Sequence, residues 1–294
     1  MTSVILPNGL TIFATNDIEA RTLYREIFAE KIYSSHGISI SDGDCVFDVG
    51  ANIGLFSIFL SHTYRGLKLF AFEPVGRTFA LLKKNADLHL NGRGKLFNFG
   101  LSSRRRTALF EYDRFMSLAA TMYPKEVNDC IRKNAGMKEF AKAGVMDLRR
   151  ISKLSDRQTE LLLKAMSTPV AGWIVATMMM MTLLFISLIR KRIFVERIEC
   201  QLRTVSEVIQ EQNVEAIDLM KIDVEGSELD VIGGIDPDDW PKIRQFVVET
   251  HDIDNRVELI RSIFEKQGYR TFVDQEDWEI HKLVNIFTIY AVRD

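Results

Sequence analysis

Cysteine is scarce in this sequence of 294 residues. The three cysteines, Cys45, Cys130 and Cys200, stand far apart, and no two of them form a CxxC pair. This spacing excludes a disulfide framework and a cysteine-based zinc site, and it fits a protein of a reducing compartment. With 47% apolar and 27% charged residues, the composition is close to the globular average, which excludes a disordered or collagen-like chain.

A strong excess of charge of one sign is also absent. The net charge is −2, whereas general nucleic-acid binding favours a marked basic excess, so we predict no nucleic-acid partner. Residues Met1–Asn8 are uncharged and run into a Pro-Asn-Gly turn, which is not the pattern of a signal peptide. We therefore expect a cytoplasmic protein.

Although the net charge of the whole chain is close to zero, one region is basic. Between Ser102 and Ile198 the chain has 18 Lys and Arg against 9 Asp and Glu. Within this region, Pro169–Ile189 runs for 21 residues without a charge, and Arg190-Lys191-Arg192 follows directly. These features predict a basic, apolar helical insert at residues 116–197 in an otherwise acidic globular body.

Short apolar runs alternate with segments of helical spacing on both sides of this insert. Such alternation indicates crossover connections and an α/β fold with a doubly wound, mostly parallel sheet. Asn8-Gly9, between two short apolar runs, predicts an N-terminal hairpin. The predicted strands of the sheet are 45–47, 67–72, 95–99, 216–222, 243–248, 269–273 and 283–292, and the predicted helices are 17–33, 55–62, 78–90, 205–212, 227–232 and 257–267.

A glycine turn follows the first predicted strand of the sheet. Gly50 and Gly54 permit a tight turn, although two glycines alone can merely close a strand–helix connection. Glu73 ends the next strand, where a carboxylate suits the hydroxyls of a ribose. Asp48 would repel the pyrophosphate of a dinucleotide but attract the ammonium and sulfonium of S-adenosylmethionine. Because the loop also lacks the G-x-G-x-x-G pattern, it favours a methyl donor over a nicotinamide cofactor.

Four segments carry a more specific pattern. They are Val46–Gly54 (VFDVGANIG), Phe70–Pro74 (FAFEP), Leu219–Leu229 (LMKIDVEGSEL) and Phe246–His251 (FVVETH). Together they resemble the FkbM family of S-adenosylmethionine-dependent methyltransferases, and the Asp-Val-Glu-Gly segment is the most telling of them. The resemblance implies a seven-stranded, Rossmann-like methyltransferase fold and O-methylation of a hydroxyl in a natural product, sugar or lipid-like acceptor.

The resemblance also implies a cofactor site built from three loops. The first loop would hold the methionine part of S-adenosylmethionine, the second would take its ribose, and the third would line the adenine. Their residues are Asp48, Gly50, Asn52 and Gly54 for the first loop, Glu73 for the second, and Gly100 and Leu101 for the third.

His251 is the predicted base that removes a proton from the acceptor hydroxyl. An imidazole has a pKa of about 6.5, and this one follows a strand whose carboxyl end faces the cleft; an exposed loop histidine is the alternative. Asp223 and Glu225 would orient the acceptor or support an imidazolium. The alternative is structural: Asp223 would be a helix N-cap, and Glu225 and Glu228 would be charges of a solvated first helical turn. The remaining histidines are interpreted as surface or packing residues: His36, His62, His89 and His281.

Asp223, Glu225 and His251 are also residue types that bind divalent cations. Two carboxylates at i and i+2 on a loop are not a closed ligand set, so no metal site is predicted from them.

The apolar run of the insert allows several interpretations. As a helix, Pro169–Ile189 would be about 31 Å long, enough for a hydrocarbon core, but one crossing would separate strands of a single sheet. A helix in the bilayer surface, a lid over the acceptor pocket, an intermolecular contact and a plain core helix stay open. The excess of Lys and Arg in the insert and the amphipathic spacing of residues 148–162 favour a peripheral contact with anionic membrane through residues 145–192. Such a contact would suit an amphiphilic acceptor.

We therefore divide the chain into an N-terminal hairpin and helix (1–34), a methyltransferase core (35–115 and 198–294) and the insert (116–197). Two rival functions are a nicotinamide-dependent Rossmann oxidoreductase and a non-catalytic membrane-docking module with a vestigial cofactor fold. Asp48 and the missing third glycine argue against the first rival. The complete set of Asp48, Glu73, Asp223 and His251 argues against the second.

Overall fold

The computed structural model describes residues 1–114, 116–123, 137–167 and 195–293. Pro169–Ile189 and Arg190-Lys191-Arg192 lie outside the described residues. The chain begins with the expected hairpin, in which β1 (Thr2–Ile5) pairs antiparallel with β2 (Thr11–Ala14). Gly9 has a φ of +85° in the turn, a conformation that glycine adopts without steric strain.

The segment after the hairpin differs from its prediction. The apolar spacing predicts one α-helix over 17–33, whereas the structure has α1 (Asp17–Tyr24), a π-helical turn (Arg25–Glu30) and a 3₁₀ turn (Ile32–Ser34). Lys31 separates the two turns with a left-handed φ of 54°. Apolar spacing does not distinguish these forms, because the apolar residues of the segment are buried in either case.

Eleven further strands build two sheets within the described residues. They are β3 (Cys45–Val49), β4 (Lys68–Phe72), β5 (Gly94–Phe97), β6 (Gly100–Leu101), β7 (Arg106–Asp113), β8 (Met116–Thr121), β9 (Val195–Arg203), β10 (Leu219–Ile222), β11 (Gln245–His251), β12 (Arg270–Asp274) and β13 (Ile286–Val292). The central sheet has the order β12–β13–β11–β10–β3–β4–β5. Its strands are parallel except for β13, which runs antiparallel to both neighbours.

Helices cover both faces of the central sheet, which confirms the doubly wound α/β fold. The helices after α1 are α2 (Leu55–Thr63), α3 (Gly76–His89), α4 (Met137–Arg150), α5 (Asp156–Ser167), α6 (Val205–Gln212), α7 (Glu228–Ile232), α8 (Arg256–Lys266) and α9 (Glu279–Leu283). One apolar core joins the sheet to the hairpin, α1 and α2, and a second joins it to α6, α7 and α8. β3 reads CVFDV and is buried throughout because both of its faces are covered.

The sequence did not predict the second sheet, which has the order β6–β9–β7–β8. The insert predicted as helical at 116–197 begins with β8, and β9 starts within its last residues, so the insert leaves and rejoins the fold through paired strands rather than through helices alone. Eight consecutive residues of β7 pair antiparallel with β9. This pairing joins residues about ninety positions apart, which local periodicity does not report.

The first part of the insert contains α4 and α5, with a turn over 151–155 between them. Asp147 on α4 accepts hydrogen bonds from the first amides of α9, and Arg150 pairs with Glu30 of the π-helical turn. Part of the predicted basic face therefore contacts the body of the protein. In the described part of the chain, no helix is both long and apolar enough to cross a membrane. The membrane contact through residues 145–192 stays a prediction.

Candidate functional site

The carboxyl ends of β3, β4, β10 and β11 meet at one edge of the central sheet, where a cavity of about 180 Å³ opens. This is the edge at which doubly wound sheets bind ligands. Loops after β3, β4 and β10 form one side of the cavity, and the π-helical turn and α9 form another. The predicted site residues that line it are Gly50, Asn52, Glu73, Gly100, Leu101, Asp223 and Glu225.

The glycine loop between β3 and α2 passes close to β10. Gly50 has a φ of +77°, and a Cβ on it would lie 1.8 Å from the backbone oxygen of Asp223. Gly54 has a φ of +87° where α2 begins, and its Cβ would lie 2.6 Å from Leu82. Both glycines are therefore required by backbone conformation and by close packing, although Gly54 itself does not line the cavity.

We expect Gly50→Ala to destabilise the chain more than Gly43→Ala. Both positions have a positive φ, so alanine at either costs about 1–2 kcal/mol of backbone strain. A Cβ at Gly43 would meet nothing within 4 Å, whereas the clash at Gly50 adds about 1–3 kcal/mol. Urea unfolding of both variants measures the difference. Equal losses of unfolding free energy would contradict the close approach of the loop to β10.

Glu73 follows β4 and is held by backbone amides. Its Oε2 accepts from the amide of Asn52 at 3.2 Å, and its Oε1 accepts from the amide of Val75 at 2.8 Å. Burial raises the pKa of Glu73 to about 7, although these two amides act in the opposite direction. Each carboxylate oxygen keeps a second lone pair, so the group remains able to accept further hydrogen bonds from a ligand.

The third predicted loop forms an apolar part of the wall. Gly100 and Leu101 form β6, which pairs with the end of β9. A Cβ on Gly100 would lie 2.8 Å from a terminal methyl of Leu202 and 3.4 Å from Pro74, so a larger residue would require Leu202 to move. Val75 and Leu202 complete the apolar surface beside Glu73. Such a surface suits a flat aromatic ring.

Asp48 lies beneath the cavity rather than in its wall. The side chain is fully buried and accepts a hydrogen bond from Ser57 at 2.7 Å, and its Oδ1 lies 3.3 Å from Nζ of Lys221. The same Nζ lies 3.2 Å from Asp223 and donates to the carbonyl of Gly50 at 3.0 Å. The charge of Asp48, taken as free in the sequence argument, is therefore balanced by Lys221.

Lys221 is a buried ammonium held between two carboxylates. Burial disfavours its charge, but Asp223 and Asp48 outweigh burial and raise its pKa above the usual lysine value. Through these contacts Lys221 joins β3, the glycine loop and the end of β10. The sequence analysis did not single out this residue.

The Asp-Val-Glu-Gly segment turns sharply after β10. Glu225 has a left-handed φ of 49° and Gly226 follows with 92°; for a glutamate this is a strained conformation of the kind found at functional sites. The amide of Gly226 donates to Glu228 at 2.7 Å, and Arg256 pairs with that carboxylate at 3.2 Å. The interpretation of Glu228 as part of a solvated turn is therefore wrong, since it is 1% exposed and fixes this turn.

His251 lies behind Glu225 at the end of β11. Its Nε2 is 3.2 Å from Oε2 of Glu225, and its Nδ1 is 3.3 Å from the carbonyl oxygen of Val284. The ring is 6% exposed and does not line the main cavity, whereas Glu225 does. His251 thus contacts the cavity through Glu225, and its role as the base stays a prediction.

Several cavity residues were missed by the sequence analysis. Glu26 and Tyr33 come from the N-terminal turns, and Glu249 comes from β11. On β11, only His251 was predicted as a site residue. His281, interpreted as a surface or packing residue, lies beside Trp278 with ring centroids 6.0 Å apart and also lines the cavity from α9. No local pattern marks Glu26 or His281, whose positions depend on tertiary contacts.

Comparison with known proteins agrees with this geometry. The FkbM methyltransferase domain family matches residues 48–271. The 31-O-demethyl-FK506 methyltransferase FkbM of Streptomyces tacrolimicus is 31% identical to this chain, over 95% of this chain and 94% of its own length. Methyltransferase sdnD of Sordaria araneosa is 27% identical, over 94% of this chain and 92% of its own.

A solved structure is similar as well. The crystal structure of methyltransferase FkbM from Methylobacillus flagellatus KT aligns with a TM-score of 0.50 and 12% identity, over 94% of this chain and 50% of that chain. At this identity the likeness shows the fold, which confirms the expected Rossmann-like methyltransferase sheet. The family match over most of the chain and the 31% identical relative show more: this chain is a member of the FkbM family of methyltransferases.

Proposed function

We propose that this chain transfers a methyl group from S-adenosylmethionine to a hydroxyl of a small natural product, sugar or lipid-like acceptor. The observation that supports this most is one continuous cavity with two chemically different sides. The glycine loop and Glu73 suit a nucleoside, and Asp223 and Glu225 suit a hydroxyl group. A methyltransferase needs both partners held within reach of each other.

The residues around the glycine loop fit the proposed cofactor. When bound, S-adenosylmethionine would supply an electrophilic methyl group on its sulfonium. The absence of a side chain at Gly50 allows the backbone of the loop to approach β10 closely, Glu73 would accept hydrogen bonds from the ribose hydroxyls, and Leu101 with Val75 would cover the adenine. Asp48 would act indirectly, through Lys221 and the carbonyl of Gly50.

Hydroxyl methylation requires a group that accepts a proton. Glu225 lines the cavity with its carboxylate, and His251 contacts that carboxylate from behind at 3.2 Å. In this proposal Glu225 receives the proton and His251 positions Glu225, while Asp223 orients the acceptor. The name of the Streptomyces relative describes a methyl acceptor that lacks an O-methyl group, which supports oxygen as the atom methylated here.

We expect the purified chain to bind S-adenosylhomocysteine, and Glu73→Ala to weaken this binding by about 10- to 100-fold. Loss of one charged hydrogen bond costs about 1.5–3 kcal/mol, which corresponds to that range. Titration calorimetry measures both affinities. Glu258→Ala removes an exposed glutamate on α8 and is the control, with an affinity equal to the wild type.

NADH serves as the competing ligand in the same titration. Binding of NADH but not of S-adenosylhomocysteine would favour the oxidoreductase rival. Binding of neither by a folded chain would favour the non-catalytic docking module. Transfer of a tritiated methyl group to 31-O-demethyl-FK506, followed by a panel of hydroxylated sugars and amphiphiles, then tests the acceptor class.

A further inference from the structure

Three side chains that the proposed function does not use meet at the far side of the cavity. They are Glu26 from the π-helical turn, Glu276 from the loop after β12, and His281 from α9. One potential ligand atom from each lies within 4.8 Å of the other two. Glu26 and His281 also line the main cavity. The π-helical turn and the segment 276–281, which are far apart in sequence, thus bring two carboxylates and an imidazole together.

One buried carboxylate of this cluster lacks a partner. Glu26 is 7% exposed, and the described residues offer its carboxylate no hydrogen bond or ion pair. Oε2 of Glu276 and Nδ1 of His281 are buried and pair with each other at 3.2 Å, without a further hydrogen bond within the described structure. A buried polar group without a partner is unfavourable, so the carboxylate of Glu26 calls for a ligand that the protein itself does not supply.

The cluster lies in an acidic part of the cavity. Asp223, Glu225 and Glu249 line the same cavity as Glu26 and His281. Lys221, which also lines it, is already engaged by Asp48 and Asp223. A cation would relieve the repulsion between these carboxylates.

We propose that Glu26, Glu276 and His281 form a binding site for a divalent transition-metal ion, for which Mn²⁺ is the probe. Imidazole nitrogen suits transition metals, and carboxylate oxygen suits Mn²⁺ among them. Metal–ligand distances of about 2.0–2.2 Å place two ligand atoms up to about 4.4 Å apart. The three atoms are therefore close enough to be joined by one ion after small side-chain movements.

The proposed ion would be open to the cavity. Three protein ligands would leave coordination positions free, and Glu26 and His281 line the same cavity as Asp223 and Glu225. An oxygen of the acceptor would occupy one of them, where the ion would lower the pKa of a hydroxyl. This last step rests on the proposed function, whereas the metal site itself does not.

The elements that carry the cluster are held rigidly from outside. Asp147 accepts hydrogen bonds from the amides of Glu279 and Ile280 at the start of α9. Arg150 donates to Glu30 at the end of the π-helical turn, at 2.9 Å. One helix of the insert, α4, therefore fixes both the segment of Glu26 and the helix of His281. Such outer contacts preserve the geometry of metal sites.

The test uses the full chain without an affinity tag, after treatment with a chelator. Electron paramagnetic resonance follows the loss of the free Mn²⁺ signal, and calorimetry gives the stoichiometry. We expect one Mn²⁺ per chain, and an affinity at least about 10-fold weaker in Glu276→Gln and in His281→Gln. Each substitution removes an ionisable group from a crowded site and adds no new charge, so the fold should persist. Glu279→Gln, on the exposed side of α9, is the matched control with unchanged affinity.

Three outcomes overturn the site: no Mn²⁺ bound by the wild type, binding that is unchanged in both variants, or binding lost equally in the control. Binding of S-adenosylhomocysteine is measured on the same samples. Retention of that binding in the variants shows that they are folded. Failure of the wild type to bind S-adenosylhomocysteine while Mn²⁺ binds would reject the proposed cofactor and leave the metal site in place.

Discussion

Glu225→Gln is expected to lower the kcat of methyl transfer by about 10²- to 10⁴-fold, the usual contribution of a positioned proton acceptor. The glutamine keeps the size of the side chain and its contact with His251, but an amide does not accept the proton of a hydroxyl. Glu225 is the member of the pair that lines the cavity. Its strained φ of 49° is set by the turn before Gly226, so the substitution leaves the backbone in place.

The measurement compares transfer of a tritiated methyl group to the acceptor that the wild type methylates. Affinity for S-adenosylhomocysteine should stay within about twofold, because the substitution lies away from Glu73 and the glycine loop. His251→Gln should reduce kcat less than Glu225→Gln, since His251 acts through Glu225. Glu258→Gln, on the exposed side of α8, controls for loss of a negative charge. Full activity of Glu225→Gln would reject it as the proton acceptor, and a larger loss in His251→Gln would make the histidine the base.

The part of the site that follows strand ends could be predicted from the sequence. Each of Gly50, Glu73 and Asp223 comes directly after an apolar run, and parallel strands bring their carboxyl ends to one edge of a sheet. This rule needs only the identity and order of the strands. It therefore predicts, without any tertiary contact, that residues from three distant segments surround one cavity.

The ion pair of Lys221 and Asp48 was not predicted, although the sequence contains a signal for it. A lysine within the apolar strand Leu219–Ile222 has to find a carboxylate, because a buried unpaired ammonium is too costly. Identifying the partner required the register of the sheet. In that register Lys221 stands directly opposite Asp48 on the neighbouring strand.

The cluster of Glu26, Glu276 and His281 had no comparable signal. Glu26 faces the cavity because the chain forms a π-helical turn where the apolar spacing predicted an α-helix. His281 belongs to a five-residue helix that ends where the strand 283–292 was predicted to begin. Short irregular elements of this kind are set by packing against the rest of the fold, and local periodicity does not report them.

Lys221→Met is expected to lower the free energy of unfolding by about 3–5 kcal/mol, the loss typical of removing one partner from a buried ion pair. Methionine fills a similar volume, so the loss comes from charge rather than from a cavity. Asp48, fully buried, and Asp223, 24% exposed in its side chain, would lose their shared counter-ion. The carbonyl of Gly50 would lose its hydrogen bond as well, so binding of S-adenosylhomocysteine should weaken together with stability.

Chemical denaturation of the wild type and the variant measures the loss, and two further variants identify its cause. Lys68→Met replaces an exposed lysine on β4, another parallel strand of the same sheet, and should change stability by less than about 0.5 kcal/mol. Adding Asp48→Asn to Lys221→Met should restore part of the lost stability, because the asparagine side chain is uncharged and needs no counter-ion. A loss that Asp48→Asn does not relieve would mean that Lys221 stabilises the fold through packing and not as the counter-ion that joins the glycine loop to the sheet.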